Sequence, residues 1–289
     1  CATPMCMANR ATLMTGSMPS LHGVRHNGIS LSTQAVTFVE MLREAGYRTA
    51  HIGKSHIQNM TDDEAMLQRH PMKDGYQSAP EHLAEAVKPV PSEGPYDQEA
   101  SSRWQAGTNA QVALPFYGFD HVEFANDHAD HTTGHHLQWQ LERDPDVASL
   151  KGPQNAQPCN YTAPQAYRTA VPEELYSSTY ITERTEDYLD DHVTNHADQP
   201  FFLFASFPDP HHPFTPPGKY WDMYDPTEVD LPSSFPRDGQ PSNPLARWVY
   251  ENRGPNAENR WGPAVAAMNE KEAREALALT YGMISMIDD

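Results

Sequence analysis

The sequence predicts an α/β domain, on three observations. A helix-compatible stretch closing at Gly46 is followed at once by a short strand-like run, Tyr47 to Ile52. A second helical stretch, from about Leu175 to His196, leads into the apolar run Phe201 to Phe207, which looks like a buried parallel strand. Helix-to-strand steps in series are what a parallel sheet with helical connections produces. The third observation is size: 289 residues with 38% hydrophobic content can bury a substantial core, read here as one large domain over residues 1–289.

The elements follow in chain order. Ala8 to Thr15 is helix-compatible and is followed by Gly16, a good C-terminal stop, which puts Cys6 at the N-terminal end of that helix. Val36, Phe38, Val39, Met41 and Leu42 make the apolar face of the helix that closes at Gly46. From 58 to 172 the chain is rich in Pro, Gly, Asp and His. It reads as long loops with short pieces such as Glu81 to Val87, a region that shapes the substrate site. After a second Pro-rich stretch, Pro208 to Pro263, a helix starts near Asn269 and carries Leu277, Leu279, Tyr281, Met283, Ile284 and Ile287. It reaches Asp289 with no stop signal, and the chain opens at Cys1 with neither an initiator Met nor a leader. The sequence is therefore expected to be an internal piece of a longer protein, truncated at both ends.

Composition excludes some function classes. Twenty Lys and Arg stand against 39 Asp and Glu, a formal charge of -19, which opposes attraction to a phosphate backbone, so no nucleic acid partner is expected. The same acidity suits a salty habitat or plain solubility and names no substrate. The longest apolar run, Phe201 to Phe207, falls far short of the roughly 20 residues that a membrane helix needs. Cys1, Cys6 and Cys159 form neither a disulfide framework nor a zinc-spaced set.

Four clusters bear chemistry. Cys6 and Arg10 lie four residues apart, on one face of a helix, at an N-terminus where exposed N–H groups and the dipole favour an anion. Arg10 adds a forked donor for an oxyanion. By spacing alone, a buried cysteine beside a surface arginine is the commoner arrangement. Gly53-Lys54-Ser55-His56 follows a strand, and alternation along an extended backbone would turn Lys54 and His56 to one side; a solvated lysine and a loop histidine are the bland reading. Pro208-Asp209-Pro210-His211-His212-Pro213 places two histidines in a stiff turn just past a strand end, where open α/β sheets form sites. Asn126-Asp127-His128, Asp130-His131 and His135-His136 suit a metal, a pocket lining or a solvated loop.

Three of these clusters, in this order, resemble the signature elements of the formylglycine-dependent (type I, arylsulfatase-like) sulfatases. Cys6, Ala8, Arg10, Thr15 and Gly16 match Cys-x-(Pro/Ala)-x-Arg with its trailing Thr-Gly, Ala8 standing where Pro is commoner. Lys54 and His56 match Gly-Lys-x-His, and His211 matches Pro-His-x-Pro with His212 as the x residue. The resemblance implies an alkaline phosphatase-like α/β sandwich, a mostly parallel sheet with helices on both faces.

It also implies that Cys6 is oxidised to formylglycine by a formylglycine-generating enzyme, and that the aldehyde hydrate attacks the sulfur of a small-molecule or carbohydrate sulfate ester. Arg10 and Lys54 then neutralise the sulfate, His211 assists the leaving alcohol, and His56 helps restore the aldehyde. His212, His135 and His136 are expected against the substrate. A divalent cation, Ca²⁺ or else Mg²⁺ or Mn²⁺, is implied, with position 6 as one ligand and the others expected outside this sequence. Three other readings stay open: a phosphonate monoester or phosphodiester hydrolase with the same cradle, a non-catalytic protein that binds sulfate or sulfated glycans, and a metal buffer built on the 15 histidines.

Overall fold

The structure, a computed structural model, describes residues 1–62, 75, 94–105, 110–235, 243–251 and 267–289; the short piece expected over Glu81 to Val87 lies outside them. The chain divides into two units, one of residues 1–126, 133–139 and 183–206, the other of 127–132, 140–182 and 207–289.

In the first unit, α1 (Cys6–Thr15) begins at Cys6 behind an extended Met5 and ends at Gly16, whose φ of 63° lets its N–H reach the Thr12 carbonyl. Met7, Ala8, Ala11 and Met14 are buried at the 3.6 period and fix the helix against the core. A short helix, α2 (Pro19–His22), follows. His22 accepts the Val24 N–H on Nδ1, so its neutral ring carries its proton on Nε2, 3.0 Å from the Thr12 hydroxyl. That contact ties α2 to α1.

The next helix, α3 (Phe38–Glu44), corrects an expectation. Thr37 is its N-cap, its hydroxyl accepting the Glu40 N–H, so Val36 falls outside the helix and is 66% exposed. Two turns present one narrow stripe to the core: Val39 is buried, and Met41 points outward at 65% exposure.

Strands β1 (Arg48–Gly53), β2 (His121–Phe124) and β3 (Phe201–Ser206) form a parallel sheet in the order β2-β1-β3, with Arg48 opposite Phe201 and Ala50 opposite His121. The central strand is buried from Thr49 onward. β3 was expected to be buried, yet it pairs only with β1 among the described residues, and Phe201 is 43% exposed. The first turn of α4 (His135–Arg143) and the C-terminal part of α5 (Ser177–Asn195) complete this unit. Ile57, Trp104, Phe116, Phe119 and Phe124 close the core over α1 and the sheet.

Two histidines in this unit bear on stability. The His51 ring lies among Phe119, Phe204 and Phe124, and burial pushes its pKa down to about 3. His135 packs against Trp104, its Nδ1 accepts the Phe124 N–H, and burial pushes it down to about 4. An unfolded chain protonates both near the ordinary 6.5, whereas the native rings resist until far lower pH. Their contribution is therefore complete above 6.5 and is lost as the pH falls, towards 4 for His135 and towards 3 for His51, by on the order of 3 and 5 kcal/mol respectively. Unfolding curves across that range should show the loss, and His51→Phe, which fills nearly the same space without a titrating nitrogen, should flatten it.

In the second unit, α6 (Pro244–Glu251) precedes α7 (Glu270–Asp288), which opens with a capping box. The Asn269 side chain accepts the Glu272 N–H, and the Glu272 carboxylate accepts the Asn269 N–H. Ala273, Ala276, Leu279, Met283 and Met286 form its buried stripe, while Tyr281 and Ile284 face outward. Glu275, also buried, accepts the N–H groups of Thr162 and Ala163 at 2.7 and 2.9 Å. No helix among the described residues is long and apolar enough to cross a membrane.

Candidate active site

Cys6 is the first residue of α1 and half-buried, so its thiol sits in the helix's first turn. The Met7 N–H is taken by the Asn27 side chain at 3.1 Å. Arg10 lies one turn on, close enough to Cys6 for the two to interact electrostatically. Burial lowers the Arg10 pKa, and the Glu99 and Cys6 charges pull it back up. Its Nη1 donates to the carbonyls of Lys54 and Ser55, at 2.7 and 3.1 Å, and to the Ser206 hydroxyl at 3.2 Å. Nη2 and Nε take no protein partner among the described residues. Arg10 is thus a strut that ties α1 to the loop after β1.

That loop carries Lys54 and His56, both buried, at 2% and 5% exposure. The alternation expected over Gly53 to His56 does not hold. The strand stops at Gly53, whose φ is 110°, and His56 adopts the left-handed φ of 53°. The loop bends instead of running on, and every residue from His51 to Met60 is buried. Cys6, Arg10, Lys54 and His56 therefore belong to one unit, joined through the hydrogen bonds of Arg10.

His211 and His212, half-buried, belong to the second unit and follow the Asp209–Pro210 turn, where the His211 N–H reaches the Pro208 carbonyl. His211 Nδ1 contacts the His212 carbonyl; a carbonyl only accepts, so Nδ1 holds the proton and Nε2 is the nitrogen that can exchange one. The His128 ring stacks on His211 with centroids 3.9 Å apart, and its Nδ1 lies 3.0 Å from Asp127 Oδ1. The histidine-rich loop is thus divided among several tasks. Asp130 is buried and accepts from Tyr167, Thr169 and the Gly152 N–H. His135 is engaged with Trp104 and Phe124, and His136, 1% exposed, lies tilted against Trp139 with ring centroids 5.7 Å apart.

No group of three or more His, Cys, Asp or Glu able to hold a metal ion is assembled among the described residues. Of the ligands of the expected divalent cation, position 6 is the one that this sequence is expected to carry, the others being expected outside it. The cysteine of the expected formylglycine stands at a helix start beside a half-buried arginine.

The sequence singles out Cys6, Arg10, Lys54, His56 and His211 as candidates and gives no signal for Ser206, which accepts from Arg10, or for Glu99, which accepts from the Lys54–His56 loop. Glu99 has no local signal, because its partners lie 41 to 43 residues back in the chain.

The family model Sulfatase matches residues 1–234. The chain belongs to the sulfatase family. An arylsulfatase of Clostridium perfringens (strain 13 / Type A) is 26% identical over 297 residues, spanning 99% of this chain and 48% of its own length. Among solved structures, the phosphonate monoester hydrolase of Agrobacterium radiobacter shares the fold with a TM-score of 0.58 at 20% identity, over 99% of this chain and 48% of that one. A protein solved with its substrate D-glucosamine-2-N,6-O-disulfate has a TM-score of 0.50 at 13% identity, over all of this chain and 51% of that one. The chain spans about half the length of these proteins, and its fold is the mixed α/β, alkaline phosphatase-like one with a parallel sheet. Sulfatases generally use a formylglycine and a divalent metal.

Proposed function

We propose that the full-length protein hydrolyses sulfate esters, releasing inorganic sulfate and an alcohol, and that Cys6 is the precursor of its nucleophile. The observation that carries this reading is Cys6 at the first position of α1, one turn from an Arg10 that is hydrogen-bonded to the loop bearing Lys54 and His56. Once a formylglycine-generating enzyme has matured position 6, the aldehyde hydrate supplies an attacking oxygen. The chain's own residues supply the rest. Arg10 offers Nη2 and Nε, and Lys54 an ammonium, to the oxygens of a bound sulfate, which lowers the cost of charge building on them. His56 serves as proton acceptor for the hydrate. His211, with Nδ1 committed to the His212 carbonyl, delivers a proton to the leaving oxygen through Nε2 when it is protonated.

For substrate class, the family and the disulfated sugar bound by the structural neighbour support a small or carbohydrate sulfate ester, with His212 beside it. His135 and His136 are occupied in packing and are left out of this reading. The phosphonate monoester hydrolases are the second reading, since the same cradle suits their anion and the fold is shared. Turnover of an aryl sulfate against the matching aryl phosphonate by the matured full-length protein decides between them. Preference for the sulfate upholds the proposal, preference for the phosphonate transfers it to the second reading, and binding without turnover of either defeats both. Lys54→Met, which keeps the buried volume and removes the charge, should cost about 10²-fold in kcat/KM on the preferred substrate.

A further inference from the structure

The loop that carries Lys54 and His56 is gripped on every side, and one of the groups gripping it has no part in the chemistry above. The Lys54 N–H goes to the Ser206 carbonyl at 2.7 Å and the Ser55 N–H to Asn126 Oδ1 at 3.2 Å. The Lys54 and Ser55 carbonyls take Arg10 Nη1, and the Ile57 carbonyl takes the Leu31 N–H at 3.1 Å. The remaining three amides converge on one carboxylate. Glu99 Oε2 accepts the His56 N–H at 2.6 Å, while Oε1 accepts those of Ile57 and Gln58 at 3.0 and 2.8 Å.

Successive N–H groups aimed at a single anion form a nest, and the left-handed His56 is the residue whose backbone turns to make it. Glu99 has no exposed surface. Burying a carboxylate is costly, and a loop of this kind does not need a full charge merely to be satisfied. The negative charge has a second use: it acts on Arg10, which holds the same loop from the other side and which burial would otherwise penalise. Glu99 and Arg10 are thus a separated pair with the catalytic loop between them, the one receiving its amides and the other donating to its carbonyls. Burial pushes Glu99 up to about 7, against the amides that pull it down.

We propose that Glu99 is a positioning residue of the sulfatase site: its carboxylate fixes the Lys54–His56 loop, balances Arg10, and so sets where the charges that meet the sulfate oxygens stand. This rests on the reading of Cys6, Arg10, Lys54 and His56 as the anion-handling site. Glu99 touches neither substrate nor nucleophile in this account, so its effect should fall on the transition state more than on ground-state binding.

The test uses matured full-length protein with Glu99→Gln, which keeps the shape but removes the charge and turns an amide donor towards the nest, and Glu99→Asp, which keeps the charge on a shorter arm. Near-UV circular dichroism reports folding, the peptide mass at position 6 reports maturation, and kcat and KM are read on an aryl sulfate. For a folded, matured Glu99→Gln we expect kcat to fall about 10- to 100-fold with KM changed less than about threefold, and Glu99→Asp to recover part of kcat. Wild-type kcat in a folded Glu99→Gln, a loss confined to melting temperature, or two variants that both fail to fold would each overturn the positioning role. A wild-type protein that turns over neither sulfate nor phosphonate defeats the reading of the site itself, whereas an active wild type with an unaffected variant defeats this inference alone.

Discussion

Full-length protein carrying Cys6→Ala should lose turnover of an aryl sulfate by roughly 10⁴-fold or more, while folding as the wild type does. The size follows from the role: with no oxidisable side chain at position 6 there is no attacking oxygen, and what survives is the charge stabilisation that Arg10 and Lys54 give to attack by water. The absence of a folding effect follows from position. Cys6 is the first residue of α1 and half-buried, the helix is held by Met7, Ala8, Ala11 and Met14, and alanine is the best helix former. Initial rates beside a thermal melt check both halves. Residual activity within tenfold of the wild type would place the nucleophile elsewhere.

Arg10→Ala should be nearly as damaging to activity and, unlike Cys6→Ala, should also destabilise. It removes the donor to two buried loop carbonyls and to Ser206, and it strips Glu99 of its opposite charge. Leaving buried acceptors unmade and a buried carboxylate uncompensated costs about 3 kcal/mol, and losing the forked donor to the sulfate adds about 10³-fold in kcat/KM. Arg10→Lys should recover part of the stability and little of the activity, because an ammonium supplies charge without the fork that reaches loop and anion together. Urea unfolding with kinetics on the same samples separates the two effects; a variant that unfolds earlier yet turns over normally would reduce Arg10 to a strut.

Much of the frame was legible because its signals are local. Gly16 ends α1, the apolar run Phe201 to Phe207 marks β3, and a helix start near Asn269 marks α7, each within a residue or two of the observed boundary. Strand β2 and helix α4 were not legible. His121 and Glu123 blur the alternation of a four-residue strand, and the His-His start of α4 gives no cap signal. The outward turn of Met41 escaped for a related reason: a two-turn helix shows only one stripe to the core, and which stripe depends on packing.

At the site, residue types were legible and backbone shape was not. Lys54 and His56 stood out by their spacing after a strand, but the bend between them comes from Gly53 and from a left-handed His56. Propensity does not predict that conformation for histidine. What holds it is Glu99, more than 40 residues away in the chain, in a stretch that reads as ordinary loop. The Asp- and His-rich loop shows the opposite failure: its composition suggested one cluster, whereas Asp130 is bound by Tyr167 and Thr169, His135 packs on Trp104, and His128 meets His211.

The central claim is that position 6 becomes the nucleophile, and the most direct measurement is the mass of the peptide containing Cys6, from full-length protein co-expressed with a formylglycine-generating enzyme. The account predicts a loss of about 18 Da at that residue, the change from thiol to aldehyde, in a fraction that rises in step with specific activity. An unmodified thiol in protein that hydrolyses sulfate esters at full rate would contradict it.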